Sequence, residues 1–238
     1  MAADRLRGSA RRARAVPRVT PPDAGLAALR RAVLDTAQEM SRRGLSPGRS
    51  GNVSARVPGG GMLITPTGLA YDSLTPADIV HVADDGAVAP GQRAPSSEWA
   101  FHLAAYRARP EAHAVVHTHS MHATVLACAG RPIPAFHYMV LAAGGRDIPV
   151  VPYATFGTEE LARVVGEGLR QRKAVLMANH GAIATGATLA AALELASEVE
   201  VLAEQYVKVL AIGGPRLLTD EQLAAAEARF QTYGQRKG

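Results

Sequence analysis

The chain has 238 residues, of which 47% are hydrophobic, 20% are charged and only one is a cysteine. These values predict a globular protein of one or two domains. The lone Cys128 excludes an internal disulfide and fits a reducing, cytoplasmic location. Because it lies in the apolar run VLACAG with no basic neighbour, we expect it to be a small buried residue rather than a nucleophile. No uninterrupted apolar run of about 18 residues occurs, so no membrane span is expected.

The formal net charge of +5 comes from the first 22 residues, which hold six arginines against Asp4 alone. The rest of the chain is neutral overall, so no basic surface for nucleic acid is indicated. Residues 1–22 are rich in Arg, Ala and Pro and are expected to form a disordered basic tail. They lack an apolar segment after the basic part, so a secretory signal is not expected. Residues 23–238 are expected to form one domain.

The predicted elements alternate between helices and strands along the domain. Apolar residues at helical spacing predict a helix over residues 23–43, which ends at Gly44. Strands are predicted in residues 48–57 and 61–68, joined by a glycine turn. Further elements follow in this order: a helix at 96–109, a strand at 113–119, a helix at 120–130, a short strand within 147–157, a helix at 158–173, two strands within 174–186, a helix at 188–213 and a final helix at 219–233. The hairpins favour an α/β domain with a central, mostly antiparallel sheet flanked by helices.

Two histidines lie two residues apart at the end of a predicted strand. His117 and His119 share one face of the strand about 7 Å apart, so both imidazoles can reach one metal ion. Such pairs also occur on solvated sheet faces, so the pair alone fits a metal site and an exposed, unliganded pair equally well. His180, in the tight turn Asn179–Gly181, can supply a third imidazole. His122 is expected on the following helix and is given no role.

The helix predicted at residue 96 begins with two hydroxyl groups and a carboxylate. Ser96, Ser97 and Glu98 could simply cap the helix. The hydroxyls and the free backbone N–H groups of a helix start also suit an anion, which would place Glu98 between a phosphate and a metal. The loops GRSGNVSAR and ITPTG are further candidate ligand contacts, the second through Thr67 and Gly68.

The chain holds only three lysines, Lys173, Lys208 and Lys237. They lie in a polar run, on an amphipathic helix and near the C-terminus, and none resembles the desolvated amine of Schiff-base catalysis. Carbonyl chemistry in this chain is therefore expected to be metal-assisted.

The joint order of eight motifs closely resembles the class II aldolase/adducin family over nearly all of residues 24–235. The motifs are GRSGNVSAR, LITPTG, PSSEWAFH, VVHTHS, FHYMVLAAGG, PYATFGTEEL, NHG and FQTYG. The resemblance implies a zinc-dependent aldolase that cleaves a ketose 1-phosphate, such as L-fuculose 1-phosphate, to dihydroxyacetone phosphate and a short aldehyde such as L-lactaldehyde. It also implies zinc ligation by His117, His119, His180 and Glu98, with Glu98 doubling as acid/base.

The same resemblance implies a substrate pocket and an assembly. The phosphate pocket would be formed by Gly51, Asn52, Thr67, Gly68, Ser96 and Ser97. A homotetramer would place active sites between subunits, where Tyr138 would enter the neighbour's site as proton donor. Phe156, Phe230 and Tyr233 would surround the aldehyde.

Two positions depart from the family pattern. Arg49 stands where these aldolases commonly carry Thr, and it either strengthens the phosphate contact through its forked donors or narrows the pocket and changes the substrate. Asn179 replaces the first histidine of the HHG expected in the nearest relatives. Both departures concern substrate identity more than chemistry.

Four alternatives remain within the superfamily. An L-ribulose-5-phosphate 4-epimerase is favoured slightly by HTHSMHAT, whereas SSEW and FHYMVLAAGG favour the aldolase, because such epimerases usually show Asp after the two serines. A methylthioribulose-phosphate dehydratase and a 5-deoxypentulose-phosphate aldolase would look similar. An adducin-like binding domain would lack the metal ligands, which are all present.

Overall fold

The structure, a computed structural model, describes residues 23–230, so the tail expected at 1–22 and the substrate residue expected at Tyr233 lie outside the described residues. The helices of this part are α1 (Asp23–Arg42), α2 (Trp99–Ala108), α3 (Met121–Cys128), α4 (Glu159–Leu169), α5 (Leu189–Ala211) and α6 (Asp220–Phe230). The strands are β1 (Asn52–Arg56), β2 (Met62–Ile64), β3 (Val80–Val82), β4 (Ala114–Thr118), β5 (Val150–Val151), β6 (Ala174–Met177) and β7 (Gly181–Gly186). None of these helices has the length and apolar character needed to span a membrane.

Within residues 23–230 the structure contains each predicted element, mostly with shorter ends, and residues 231–233 of the predicted final helix lie outside the described residues. Strand β1 begins only at Asn52, because Gly51 has a φ of 73° and is outside the extended region. The helix predicted from residue 96 begins at Trp99. The sequence does not predict β3, because three residues are too few to show an alternating pattern.

The seven strands of residues 23–230 form one sheet in the order β3–β2–β1–β4–β7–β6–β5. Neighbouring strands are antiparallel except β5 and β6, which are parallel. The expected α/β domain with a mostly antiparallel sheet is therefore confirmed. Because β1 and β7 both run opposite to β4, the end of β4 meets the beginnings of both neighbours. His117 lies opposite Asn52 on one side and Ile183 on the other.

Helices cover both faces of the sheet. Val116 packs in the apolar cluster under α1, α3 and α5, and Val115 packs in the cluster under α2 and α4. Alternation along β4 therefore turns His117 toward the α2 face. Burial of these two apolar clusters stabilises the fold and keeps β4 in the middle of the domain.

Cys128 is exposed at the end of α3, so the expectation of a buried cysteine is wrong. Its neighbours Leu126 and Ala127 are buried, and both belong to the cluster on the α5 side. A continuous apolar run does not bury every residue when it forms a helix, because only one face of a surface helix meets the core.

Candidate active site

Three imidazole rings meet where the end of β4 adjoins the start of β7. His117 Nε2 lies 3.0 Å from His119 Nε2, and the potential ligand nitrogens of His117, His119 and His180 all lie within 4.8 Å of one another. Nitrogens bound about 2 Å from a tetrahedral zinc are about 3.3 Å apart. The spacing of these nitrogens therefore fits a group that could hold one metal ion.

The orientation of the His117 ring is set by the neighbouring strand. Its Nδ1–H donates to the carbonyl oxygen of Ala182 at 2.9 Å. This bond leaves Nε2 facing the site, as in metal-binding histidines whose other nitrogen is hydrogen-bonded. The ring is fully buried and meets Phe101 edge-on, with ring centroids 5.2 Å apart. His117 is therefore held in one orientation.

A tight turn between β6 and β7 places His180. Asn179 has a φ of 55° and is the only non-glycine residue at positive φ in residues 23–230. Asn tolerates this left-handed conformation better than most residues. Gly181 is required for a different reason: a Cβ atom there would lie 2.3 Å from the carbonyl oxygen of Thr118. The sequence Asn-His-Gly thus allows β7 to begin close against β4 while His180 points into the site.

Glu98 lies at the N-cap of α2, but its side chain makes no capping hydrogen bond. One carboxylate oxygen lies 3.0 Å from His180 Nε2, and the other lies 3.3 Å from His117 Nε2. The second oxygen also accepts a hydrogen bond of 2.9 Å from Asn52 Nδ2. The carboxylate is therefore turned away from the helix and joins the imidazole cluster.

The electrostatics of this cluster favour an ionised Glu98 carboxylate and a neutral His119 imidazole. Burial opposes ionisation of Glu98, but the adjacent His117 and His180 outweigh it and hold the pKa of the carboxyl below its ordinary value. Burial, assisted by the charges of His117 and His180, lowers the pKa of His119 to about 3. A deprotonated imidazole and an ionised carboxylate are the forms that bind metals.

A cavity of about 410 Å³ opens over this cluster. It is lined by most of the residues that the sequence nominates for substrate and metal: Arg49, Gly51, Asn52, Thr67, Gly68, Ser96, Ser97, Glu98, His119, Phe156 and His180. His117 lies behind this lining, buried completely. The tertiary structure thus brings residues from six separate segments to one cavity of a size typical for small ligands.

Arg49 and Gly51 lie on the loop that leads into β1. Arg49 Nη1 donates to the carbonyl oxygen of Gly68 at 3.0 Å, which ties this loop to the loop after β2. A Cβ atom on Gly51 would lie 2.6 Å from the carbonyl oxygen of His117, and the residue has positive φ. The glycine therefore lets the loop approach the end of β4 closely.

Two nominated residues lie elsewhere in the chain. Tyr138 and Phe230 have ring centroids 6.0 Å apart and line a separate cavity of about 370 Å³ with Met139, Ala226 and Arg229. Tyr138 is 49% exposed. Within one chain, neither ring lines the cavity that contains Glu98, so a role in that site requires another subunit or a movement of the chain.

Sequence reasoning missed two side chains near the cavity. Tyr153, which is 62% exposed, lines it within the motif PYATFG. His102 lies behind it and contacts Asn52. Its position four residues after Glu98 on α2 was the available signal, since residues four apart share a helix face. His122 pairs instead with Glu200 at 2.8 Å, consistent with the expectation that it has no part in the site.

Comparisons with known proteins agree with the site and the fold. Residues 31–207 match the family model described as Class II Aldolase and Adducin N-terminal domain. The chain is 52% identical over 209 residues to the L-fuculose phosphate aldolase of Escherichia coli O6:H1, covering 87% of this chain and 96% of that protein. It is 51% identical over 207 residues to the 5-methylthioribulose-1-phosphate/5-deoxyribulose-1-phosphate aldolase of Rhodospirillum rubrum, covering 87% and 93% of the two chains.

A solved structure shows the same architecture. An L-fuculose 1-phosphate aldolase superposes with a TM-score of 0.82 at 36% sequence identity, covering 86% of this chain and 96% of that one. The close relatives named as aldolases support an aldolase activity, although they differ in the sugar phosphate that their names specify. The resemblance seen in the motifs is confirmed: the chain belongs to the class II aldolase and adducin N-terminal domain family.

Proposed function

We propose that the chain is a zinc-dependent aldolase that reversibly cleaves a ketose 1-phosphate to dihydroxyacetone phosphate and a short aldehyde. L-fuculose 1-phosphate, which would release L-lactaldehyde, is the first candidate substrate. The observation that carries the proposal is the convergence of three imidazoles and the Glu98 carboxylate on one cavity of about 410 Å³. The relative from Rhodospirillum rubrum makes 5-methylthioribulose 1-phosphate and 5-deoxyribulose 1-phosphate the second candidates.

The donor set fits a zinc ion. His117, His119 and His180 would hold it together with Glu98, since nitrogen and carboxylate ligands in a four-coordinate site are usual for zinc. When bound, zinc supplies Lewis-acid polarisation of the substrate carbonyl. No lysine of residues 23–230 lines the cavity, which favours this chemistry over a Schiff base.

The acid and base work falls to two side chains. In the condensation direction, the Glu98 carboxylate takes the proton from the carbon next to the carbonyl. Because its pKa lies below the ordinary value, Glu98 is a weak base, and acidification of that carbon must supply much of the driving force. The Tyr138 hydroxyl then gives a proton to the aldehyde oxygen as the C–C bond forms.

The phosphate would bind at the mouth of the cavity. Thr67 and Ser97 are exposed there, and the start of α2 presents the positive end of its helix dipole. The Arg49 guanidinium adds a full positive charge on the same rim. Together with Gly51, Asn52, Gly68 and Ser96, these groups give the polar wall that a phosphoryl group requires.

The separate position of Tyr138 supports an assembly. Tyr138 is half exposed and lines its own cavity with Phe230, away from the Glu98 cavity of the same chain. A homotetramer in which the Tyr138 loop of one subunit reaches the Glu98 cavity of the next would complete the site. Phe230 beside Tyr138 and Phe156 in the cavity wall would then enclose the aldehyde.

The direct test is incubation of the zinc-loaded chain with dihydroxyacetone phosphate and a panel of aldehydes, with the product stereochemistry assigned. The same preparation is then given L-fuculose 1-phosphate, 5-methylthioribulose 1-phosphate and 5-deoxyribulose 1-phosphate, and release of dihydroxyacetone phosphate is measured. Glu98→Gln serves as the inactive control. We expect cleavage of at least one ketose 1-phosphate, with zinc close to one per chain.

The outcomes separate the rivals. Interconversion of ketopentose 5-phosphates without release of a free aldehyde would replace the aldolase by an epimerase. Failure with every substrate after zinc reconstitution, or no zinc bound at all, would reject the catalytic proposal in favour of a binding domain.

A further inference from the structure

A chain of buried polar groups runs from Glu98 into the layer between the sheet and α2. Asn52 Nδ2 lies 2.9 Å from both the Glu98 carboxylate and Ser96 Oγ, and Asn52 Oδ1 contacts His102 Nε2. On the far side of the ring, His102 Nδ1 lies 2.7 Å from Ser54 Oγ, which lies 2.8 Å from the Tyr106 hydroxyl. Nothing in the proposed reaction uses His102.

The register of β1 against α2 explains why these groups meet. Asn52 and Ser54 are two residues apart on β1, so both point to the α2 face, whereas Val53 between them packs in the opposite cluster. His102 and Tyr106 are four residues apart on α2 and so share the helix face that covers β1. His102 and Ser54 are completely buried.

The hydrogen bonds that link these buried polar side chains have one consistent direction. An ionised carboxylate only accepts, so the amide nitrogen of Asn52 must face Glu98 and the amide oxygen must face His102. His102 must then carry its proton on Nε2, and its Nδ1 accepts from the Ser54 hydroxyl. Ser54 Oγ in turn accepts from the Tyr106 hydroxyl.

Burial keeps the His102 ring in its neutral form. Loss of solvent, assisted by the charge of His117, lowers the pKa of His102 to about 3. The ring is stacked on Phe101, with centroids 4.9 Å apart and planes 17° from parallel. A neutral imidazole has one donor and one acceptor, and here each has a single partner.

We propose that His102 is a positioning residue, which holds the Asn52 amide in the orientation that donates to Glu98. Without the Nε2–H donor, the amide would be free to rotate by half a turn and present its oxygen to the carboxylate. That orientation would repel Glu98 and displace it from the imidazole cluster. The positioning role rests on the proposed function, in which Glu98 is the base. The direction of the hydrogen bonds does not depend on that function.

The first experiment determines the tautomer in the unmutated, zinc-loaded, full-length chain. Labelling with 15N-histidine and NMR detection of the ring nitrogens distinguishes a protonated Nε2 from a protonated Nδ1. We expect His102 to be neutral with the proton on Nε2, between pH 6 and pH 8. A proton on Nδ1, or a doubly protonated ring, would overturn the proposal. This readout needs no substitution and no activity.

The second experiment compares the variants His102→Gln and His102→Asn, whose side-chain amides differ in length. The glutamine amide reaches about as far as Nε2 and can still donate to Asn52, whereas the asparagine amide reaches only as far as Nδ1. We expect His102→Asn to lower kcat by about 10- to 100-fold, the usual effect of losing a residue that supports a metal ligand, with little change in KM. His102→Gln should recover most of kcat.

A purely structural role predicts a different pattern. Both amides leave Ser54 or Asn52 imperfectly paired, so both variants should unfold at a lower temperature. Equal kcat values in the two folded variants, or an unchanged kcat in His102→Asn, would reject the positioning role. An unmutated chain that shows the Nε2 tautomer but no aldol activity would reject the proposed function and leave the hydrogen-bond direction standing.

Discussion

Glu98 is the residue on which the proposed chemistry depends most directly. It occupies the N-cap position of α2, yet its carboxylate lies against His117 and His180 and accepts from Asn52. A glutamate used as a helix cap would instead bond backbone N–H groups of the first turn. Its placement therefore favours a role in the site over a role in the helix.

Glu98→Gln is expected to remove proton exchange at the reacting carbon of dihydroxyacetone phosphate. The amide cannot accept the proton, so the rate should fall by about 10²- to 10⁴-fold. The three imidazoles remain, so zinc should stay bound. Deuterium exchange measured by NMR, with zinc content measured on the same sample, checks this. Exchange at the unmutated rate would remove Glu98 from the role of base.

Arg49→Thr is expected to weaken binding of the phosphorylated substrate with little effect on kcat. Arg49 lines the cavity and donates to the Gly68 carbonyl through one guanidinium nitrogen, which leaves its other donors available to a ligand. We expect KM for the ketose phosphate to rise about 3- to 30-fold, the range for losing one charge-assisted contact.

Arg163→Thr is the matched control for this change. Arg163 lies on α4, pairs with Glu160 and Glu167 and lies outside the cavity that contains Glu98. It should leave KM unchanged. If Arg49→Thr leaves KM unchanged and alters only the choice of aldehyde, Arg49 shapes the pocket instead of binding phosphate.

His102→Gln should also alter the acid stability of the metal-free chain. The pKa of His102 is lowered to about 3 when folded, whereas a free histidine has a pKa of about 6.5. Between these values the unfolded chain binds the extra proton, so His102 costs stability as pH falls below about 6.5. The unmutated chain should lose about 1.4 kcal/mol per pH unit more than His102→Gln from this group. Urea unfolding of both chains at pH 7 and pH 5 tests the sign, and parallel pH profiles would contradict it.

At the scale of elements, the hairpin of β6 and β7 places the third imidazole. The turn works because Asn179 accepts a left-handed backbone and Gly181 lies against Thr118. The long helix α5 packs on β4 and β7 and fixes the hairpin relative to the other two histidines. The three imidazoles of the candidate metal site thus come from the ends of two neighbouring strands and not from a single motif.

Gly181→Ala is expected to disturb the metal site through the backbone. The added Cβ atom would lie 2.3 Å from the carbonyl oxygen of Thr118, which cannot move without shifting β4. We expect a loss of about 1–3 kcal/mol in the free energy of unfolding, as for overpacked sites, together with weaker zinc binding. Chemical denaturation and competition with a chelator measure the two effects.

Gly25→Ala provides the matched control. Gly25 lies on α1, and a Cβ atom there would meet nothing within 4 Å. Because alanine favours helix over glycine, this change should be neutral or slightly stabilising and should leave zinc binding unaltered. Equal zinc affinity in both variants would show that the close approach of β7 to β4 does not matter for the site.

At the scale of the whole molecule, the proposed reaction would use side chains from more than one chain. Glu98 and Tyr138 line different cavities of one chain, so the complete site would be shared between neighbouring subunits. A closed ring of identical subunits would repeat this shared site at every interface.

Mixing two inactive variants tests the shared site. Glu98→Gln and Tyr138→Phe should each be nearly inactive alone. After subunit exchange in equal amounts, about a quarter of the sites in a cyclic assembly would pair an intact Glu98 with an intact Tyr138. Recovery of about that fraction of activity supports the arrangement. Mass measurements must show mixed oligomers, and no recovery in them would exclude Tyr138 from the neighbour's site.

The sequence alone determined the types of element, the mostly antiparallel sheet and the identity of the clustered side chains. Strand alternation puts His117 and His119 on one face, and Asn-His-Gly indicates a tight turn, because both are properties of a few consecutive residues. The same local patterns did not reveal β3 or the exposure of Cys128, since a three-residue strand and the outward face of a helix carry little local signal.

Only the tertiary structure decided how these side chains act on one another. Asn52 lies opposite His117, the Glu98 carboxylate contacts imidazoles instead of capping its helix, and His102 contacts Asn52. These contacts join residues far apart in sequence: Asn52 and Ser96 are 44 residues apart, and Glu98 and His180 are 82 apart. Strand register and the packing of α2 on β1 determine these contacts, and neither is encoded in local spacing. The sequence therefore identifies which residues could carry the chemistry, and the fold decides which of them touch.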